Sequence, residues 1–146
     1  MTTVENIEMI TEAFACGISI KDAIEAYGID INSKDYMKND GVPTTILIKY
    51  CSYRDVNLMN DAIECGADFN IRDVFGGVYD AVINGSSGYD NFNEPRNLER
   101  MNKALTFLKE KNIPFVISEK TYEKIRKDWE GLYEKSTILQ ELIIDN

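Results

Sequence analysis

The chain has 146 residues, a formal net charge of −9, three cysteines and no histidine. This length suits a single domain that buries roughly two thirds of its unfolded surface without covalent staples, and the missing histidine removes the commonest metal ligand, general base and partner for a nucleophilic Ser or Cys. Cys16, Cys51 and Cys65 are an odd set with no Cys-x-x-Cys spacing, which argues against a disulfide framework or a thiolate metal site and leaves each as a buried small hydrophobe.

Thr2 stands three residues before Glu5 in a capping-box arrangement, and Ile7, Ile10 and Phe14 then share one face, predicting a first helix that Gly17 ends. Ser19, three before Asp22, restarts a helix with Ile20, Ala23, Ile24 and Tyr27 as its apolar stripe and Gly28 as its C-terminal stop. From Asp30 to Gly41 the residues turn polar and read as an extended loop. Thr44 or Thr45 caps a third helix through Ile46, Leu47, Tyr50 and Cys51; Asp55 caps a fourth, with Val56, Met59, Ala62 and Ile63 inward and Gly66 as its stop.

A similar order begins again at Arg72-Asp73-Val74-Phe75-Gly76-Gly77, followed by the apolar residues Val78, Tyr79, Ala81, Val82 and Ile83. The stretch 85–97, rich in Gly, Ser and Asn, has no helical period and reads as an inserted loop. Leu98, Met101, Leu105 and Leu108 restore a helical stripe, and Lys111-Asn112-Ile113-Pro114-Phe115 closes it. Ser118 then caps a helix whose stripe is Tyr122, Ile125, Trp129, Leu132 and Tyr133. Thr137 with Gln140 caps a final short helix through Leu139, Leu142 and Ile143.

Two segments in this order match: Gly28-Ile29-Asp30-Ile31-Asn32 and Gly66-Ala67-Asp68-Phe69-Asn70 lie 38 residues apart, and each closes an amphipathic stretch. A recurrence of that length points to stacked helical repeats, in which each helix pair buries its apolar face only against neighbours. The stretch from Gly41 to Asp73 resembles an ankyrin repeat. Asp40-Gly41 matches the family's opening, Thr44-Thr45-Ile46-Leu47 its helix start in part, and Ala62-Ile63-Glu64-Cys65-Gly66-Ala67-Asp68-Phe69-Asn70 its close. The chain departs from the pattern in lacking the Thr-Pro-Leu-His tetrapeptide, in placing Pro43 before the threonines, and in its period, against about 33 for the family. The third unit also has the insertion and lacks the Gly-Ala-Asp close. The resemblance implies an all-α fold, a short ankyrin-like helical-repeat solenoid with units at about 1–32, 33–70 and 71–116 and capping helices over 117–146. It also implies that the loops and the first helix of each pair line a concave face that binds another protein.

Residues 1–70 carry 12 acidic and 5 basic side chains, so most of the negative charge lies in the first half. Nucleic acid is repelled by such a surface and a basic protein is steered to it. Asp30, Asp35, Asp40, Asp68 and Asp73 form a candidate acidic strip, or serve as ordinary turn residues. Tyr36, Met37 and Phe75, in otherwise polar loops, are candidate interface anchors or fold back locally. Arg72 opens the loop that holds Phe75 and joins this set. Tyr50 and Tyr53 reach the concave face or pack internally, and Tyr89 and Phe92 in the insertion are further candidate contacts or dock on the core. Lys120, Lys124, Arg126 and Lys127 interleave with acids and read as a solvated helix face.

No apolar run approaches the ~20 residues of a membrane helix, and Met1-Thr2-Thr3-Val4-Glu5-Asn6 lacks the basic and apolar regions of a secretory signal, so the expected setting is cytoplasmic. The expected function is protein binding without catalysis, cofactor or metal. The alternative is an acidic inhibitor, an immunity, antitoxin or anti-defence protein, directed at a basic nucleic-acid-handling enzyme or toxin. A third reading is an enzyme with an Asp or Glu site in the cleft beside the insertion.

Overall fold

The computed structural model describes residues 4–85, 95–127 and 131–145. Among them the backbone forms nine helices and one two-stranded hairpin: α1 (Val4–Ala15), α2 (Ile20–Tyr27), β1 (Met37–Asn39), β2 (Val42–Thr44), α3 (Ile46–Tyr53), α4 (Val56–Glu64), α5 (Val78–Asn84), α6 (Pro95–Glu110), α7 (Glu119–Arg126), α8 (Leu132–Lys135) and α9 (Thr137–Ile144). The fold is mostly helical. No helix of the described residues is long and apolar enough to cross a membrane.

The helix starts follow from short oxygen-bearing side chains that satisfy an otherwise orphaned amide. Ser19 accepts from the Asp22 amide, Thr45 from Ile48, Asp55 from Leu58 and Ser118 from Thr121. The stops follow from residues that tolerate a left-handed backbone. After α4, Gly66 (φ 94°) lets its own amide reach Ile63 O and the Ala67 amide reach Ala62 O. Asn112 (φ 59°) does the same after α6, through Lys109 O and Leu108 O, which explains how that helix closes without a glycine.

Several expectations are corrected or narrowed. The stretch after Asp30 is not all loop: Met37, Lys38 and Asn39 pair with Thr44, Pro43 and Val42 across an Asp40-Gly41 turn. Both turn residues have positive φ, 48° and 80°, as a two-residue hairpin turn of matching twist requires. Thr45 rather than Thr44 caps α3, because Thr44 ends β2. The C-terminal stripe is divided between α7, which ends at Arg126, and α8, which starts after Gly131 at φ 70°; Ile125 and Leu132 are buried, whereas Tyr122 is exposed. Ser136, not Thr137, caps α9, and Gln140 instead donates to Tyr133 O. Cys51 is buried, but Cys65 is half-buried and Cys16 exposed. The Thr2 half of the first capping box and Trp129 lie outside the described residues.

Consecutive helices pack in pairs, α1 on α2, α3 on α4 and α5 on α6. Across pairs, α3 contacts α5 and α5 contacts α7, while α2, α4, α6 and α9 follow one another in contact. The core runs through both files: Ile46, Leu47 and Cys51 of α3, Met59 and Ala62 of α4, Val82 and Ile83 of α5, and Met101, Leu105 and Leu108 of α6 are all shielded from water.

The α3 to α5 junction holds an unexpected cation. Arg54, 3% exposed, sits in a left-handed conformation (φ 57°) at the end of α3 and turns its guanidinium onto the last turn of α5. Its Nε donates to Val82 O at 2.7 Å and its Nη2 to Ile83 O at 3.0 Å. The last carbonyls of a helix lie beyond the reach of most of its own amides, and the negative end of the helix dipole favours a positive charge there. We therefore expect Arg54→Ala to remove a buried charged donor from both carbonyls and to cost roughly 3 kcal/mol, measured as a lowered urea midpoint with unchanged helical circular dichroism in water.

Candidate functional site

The hairpin is the first of two projecting fingers. Its last residue, Thr44, is buried and donates its hydroxyl to Asp73 Oδ2 at 2.8 Å, which ties it to the second finger, 72–77. The second finger is shaped by the same aspartate: Asp73 Oδ1 accepts from the amides of Phe75 (2.8 Å) and Gly76 (3.1 Å). Asp73 and Gly76 also pair through their backbones in an isolated bridge. Lys34 Nζ donates to Arg72 O at 2.6 Å, a second strut between the fingers.

Beneath the second finger lies Asp80, on the first turn of α5 and 1% exposed. Its Oδ2 accepts from the Gly77 amide at 2.9 Å and its Oδ1 from the Ser118 amide at 2.8 Å. Arg72 Nη2 lies 3.5 Å from the same carboxylate. One side chain therefore joins the start of α5, the start of α7 and the base of a finger. Gly76 passes so close (φ 129°) that a Cβ there would fall on the Asp80 carboxylate.

These contacts frame a groove of about 760 Å³, within the ~300–1,000 Å³ range of ligand pockets. Ile48 and Ser52 of α3, Ala81 and Asn84 of α5, and Thr121 and Lys124 of α7 each face it with residues one turn apart or adjacent to the next helix. Asn39, Asp40 and residues 72–77 supply the finger side, and Ser118 and Lys120 the α7 side. Asn84 is held from α7, donating to Thr121 Oγ1 at 3.1 Å and accepting from Lys124 Nζ at 3.1 Å. At the finger tip Val74 and Phe75 are 75% and 45% exposed, an uncommon pairing of apolar side chains in water.

The residues singled out in the sequence meet different fates. Asp40, Arg72, Asp73 and Phe75 all line the groove. Asp35 and Tyr53 are exposed but lie outside it, with Lys49 Nζ 5.2 Å from the Tyr53 ring centre. Tyr36 and Tyr50 are buried and Met37 is half-buried against the core, so none of the three presents a free anchor. The hairpin explains Tyr36: once strand pairing begins at Met37, its neighbour is drawn into the junction with α1, where Tyr36 O accepts from Thr11. Tyr89 and Phe92 lie outside the described residues. Asp30 and Asp68 act in turns, accepting from Asn32 and Asn70 amides at 3.0 and 2.9 Å. Asp80, Ser118, Lys120 and Thr121 were not legible as groove residues, and Lys120 and Lys124 face the groove rather than open solvent alone.

Nearby titrating groups are shifted by burial. Desolvation, with smaller contributions from Tyr53, Asp61 and Asp55, raises Tyr50 from the usual 10.0 to about 12. Desolvation, with a minor contribution from Cys51, also raises Tyr79 from 10.0 to about 12; its hydroxyl donates to Ile113 O at 2.7 Å. Burial alone pushes the Cys51 thiol upward, so it stays protonated and unreactive.

No family model, curated protein or solved structure matches this chain.

Two outcomes are expected from this geometry. Gly76→Ala forces a Cβ into the Asp80 carboxylate at a backbone angle that side chains avoid, and should cost at least about 3 kcal/mol in urea unfolding. For the buried phenols, the neutral form is favoured in the folded state, so their contribution to stability is complete below pH 10.0 and is lost as pH rises towards about 12. Absorbance titration should show two tyrosines ionising late, together with alkaline unfolding, and wild-type ionisation of every tyrosine near 10 would contradict the burial.

Proposed function

We propose that the chain is a non-catalytic protein-binding module of the cytoplasm, built as a short ankyrin-like helical-repeat stack with a C-terminal helical cap. The partner is gripped by the two fingers and by the inner faces of α3, α5 and α7. The observation that carries this reading is the groove across three successive helices with Val74 and Phe75 raised into water at its edge. Apolar anchors beside a polar, concave surface are the usual composition of an interaction hot spot.

The repeat reading is supported by what the two Gly-x-Asp-x-Asn closures do. Asp30 and Asp68 make the same turn, and Asn32 Oδ1 accepts from the Asp68 amide at 2.7 Å, so one closure caps the next. A chain without histidine also lacks the residue most often used for proton transfer near neutral pH.

The second reading, inhibition of a basic nucleic-acid-handling enzyme or toxin, is favoured by Asp35 and Asp40. Both are exposed, and neither carboxylate accepts a hydrogen bond among the described residues. Such charges at a rim accelerate association with a basic surface and do so less as salt rises.

Affinity capture from the native host with wild-type and variant bait tests both readings. Phe75→Ala should weaken partner binding by about 2 kcal/mol, roughly thirtyfold, if the finger is an anchor. Asp35→Lys with Asp40→Asn retains the turn, since Asn tolerates the same backbone, and should slow association at low salt if the partner is basic. A captured partner indifferent to Phe75 would end the first reading; one whose association is unmoved by the carboxylate changes would end the second.

A further inference from the structure

The groove is lined by as many carboxylates as cations, but the two sets are not equally engaged. Asp73 is filled by the Thr44 hydroxyl and two amides of its own loop, and Asp80 by the Gly77 and Ser118 amides and Arg72. Asp40, on the hairpin turn, is the carboxylate left over. The cations are less committed. The Arg72 side chain is 43% exposed, and its ion pair is a single nitrogen, Nη2, 3.5 Å from an Asp80 oxygen that the Gly77 amide already reaches at 2.9 Å. Lys120 makes no hydrogen bond or ion pair among the described residues, and Lys124, one turn further along α7, is held through Asn84 Oδ1. Asp80 also fixes where these groups lie. Arg72 and the Ser118 amide reach the two oxygens of its one carboxylate, so the guanidinium stands beside the start of α7, whose second residue is Lys120. Glu119, next to it, does not line the groove.

Resting on the protein-binding reading above, we propose that this end of the groove takes a carboxylate from an acidic segment of the partner, seated between Arg72 and Lys120, with an apolar neighbour against Phe75. The groove's own acids are largely satisfied there and its N–H donors are not, so the missing partner is an acceptor. Arginine offers a planar fork that matches two oxygens, and lysine a point charge beside it. Nη2 can keep its Asp80 contact while the other guanidinium N–H groups turn to the ligand. Phe75 lines the same groove three residues along the same finger, which places an apolar contact next to the charged one. A polyanion suits the site less well, because Asp40, Asp73 and a net charge of −9 repel a run of phosphates. The partner's charge at this point is then opposite to the one that overall composition suggests.

The test uses fluorescein-labelled, C-terminally amidated nonapeptides with a Gly/Ser background and a central Glu-Leu-Glu, Gln-Leu-Gln or Lys-Leu-Lys; a fourth carries phosphoserine in place of both Glu. Binding to the full chain is followed by fluorescence anisotropy at low and at physiological salt. The Glu peptide should bind at least tenfold tighter than the Gln peptide, by a margin that narrows as salt rises. Lys120→Gln should cut that margin at least threefold without changing circular dichroism, whereas Lys21→Gln, an exposed lysine of α2 outside the groove, should leave it intact. Equal binding of the Glu and Gln peptides, tightest binding of the Lys peptide, binding of the phosphoserine peptide alone, a margin that both lysine variants lower alike, or no binding by any peptide overturns the proposal. A captured native partner that depends on Phe75 but not on Lys120 would end this proposal and leave the protein-binding reading standing; one indifferent to both ends the reading itself.

Discussion

A carboxylate shut away from water has to find donors for both oxygens, and Asp80 finds them on three different parts of the chain. It takes the Gly77 amide at the start of its own helix, the Ser118 amide at the start of α7, and the Arg72 guanidinium from the finger. Removing such a group from water is costly unless every lone pair is met, so the three elements can only assemble together. Gly76 is part of the same constraint, because no larger residue leaves room for the carboxylate. At its other end α5 is held by Arg54 on Val82 O and Ile83 O. An acid at the N-terminal turn and a cation at the C-terminal turn are the arrangement the helix dipole favours.

The groove is a consequence of that clamp. The finger cannot swing away while Arg72 and Asp73 are engaged, the latter by Thr44 and by two amides of its own loop. The apolar tip at Val74 and Phe75 is left on the outside because the inside of the loop is filled by aspartate hydrogen bonds. A rigid loop loses little conformational entropy on binding, which is the physical advantage of presenting an anchor in this way. The proposed partner-binding role thus depends on the hydrogen bonds that hold the finger in place.

Much of the helical framework was open to inference from residues alone. Ser19, Thr45, Asp55 and Ser118 cap helices, and Gly28 and Gly66 end them, since these preferences are properties of the residue and its immediate backbone. The hairpin was missed even though Asp40-Gly41 is a strong turn signal, because its strands have only three residues each and β2 contains Pro43. Tyr36 illustrates a different limit. Its polar neighbours suggest exposure, yet the strand beside it directs it inward. At the C-terminal end, the apolar spacing alone does not distinguish one long helix from two, and the backbone makes two, α7 ending at Arg126 and α8 starting after Gly131.

Local chemistry, then, was enough for most helix starts and stops, for which of their faces are apolar, and for the recurrence of two closures. It was not enough for which charged side chains are buried or which face a groove. Asp80 meets Ser118 across 38 positions and Arg54 meets Val82 across 28. Nothing near either residue in the chain distinguishes it from an ordinary solvent-facing charge. Only packing brings the donor and acceptor together, and with them Asp40, Asp73, Lys120 and Lys124 around one groove.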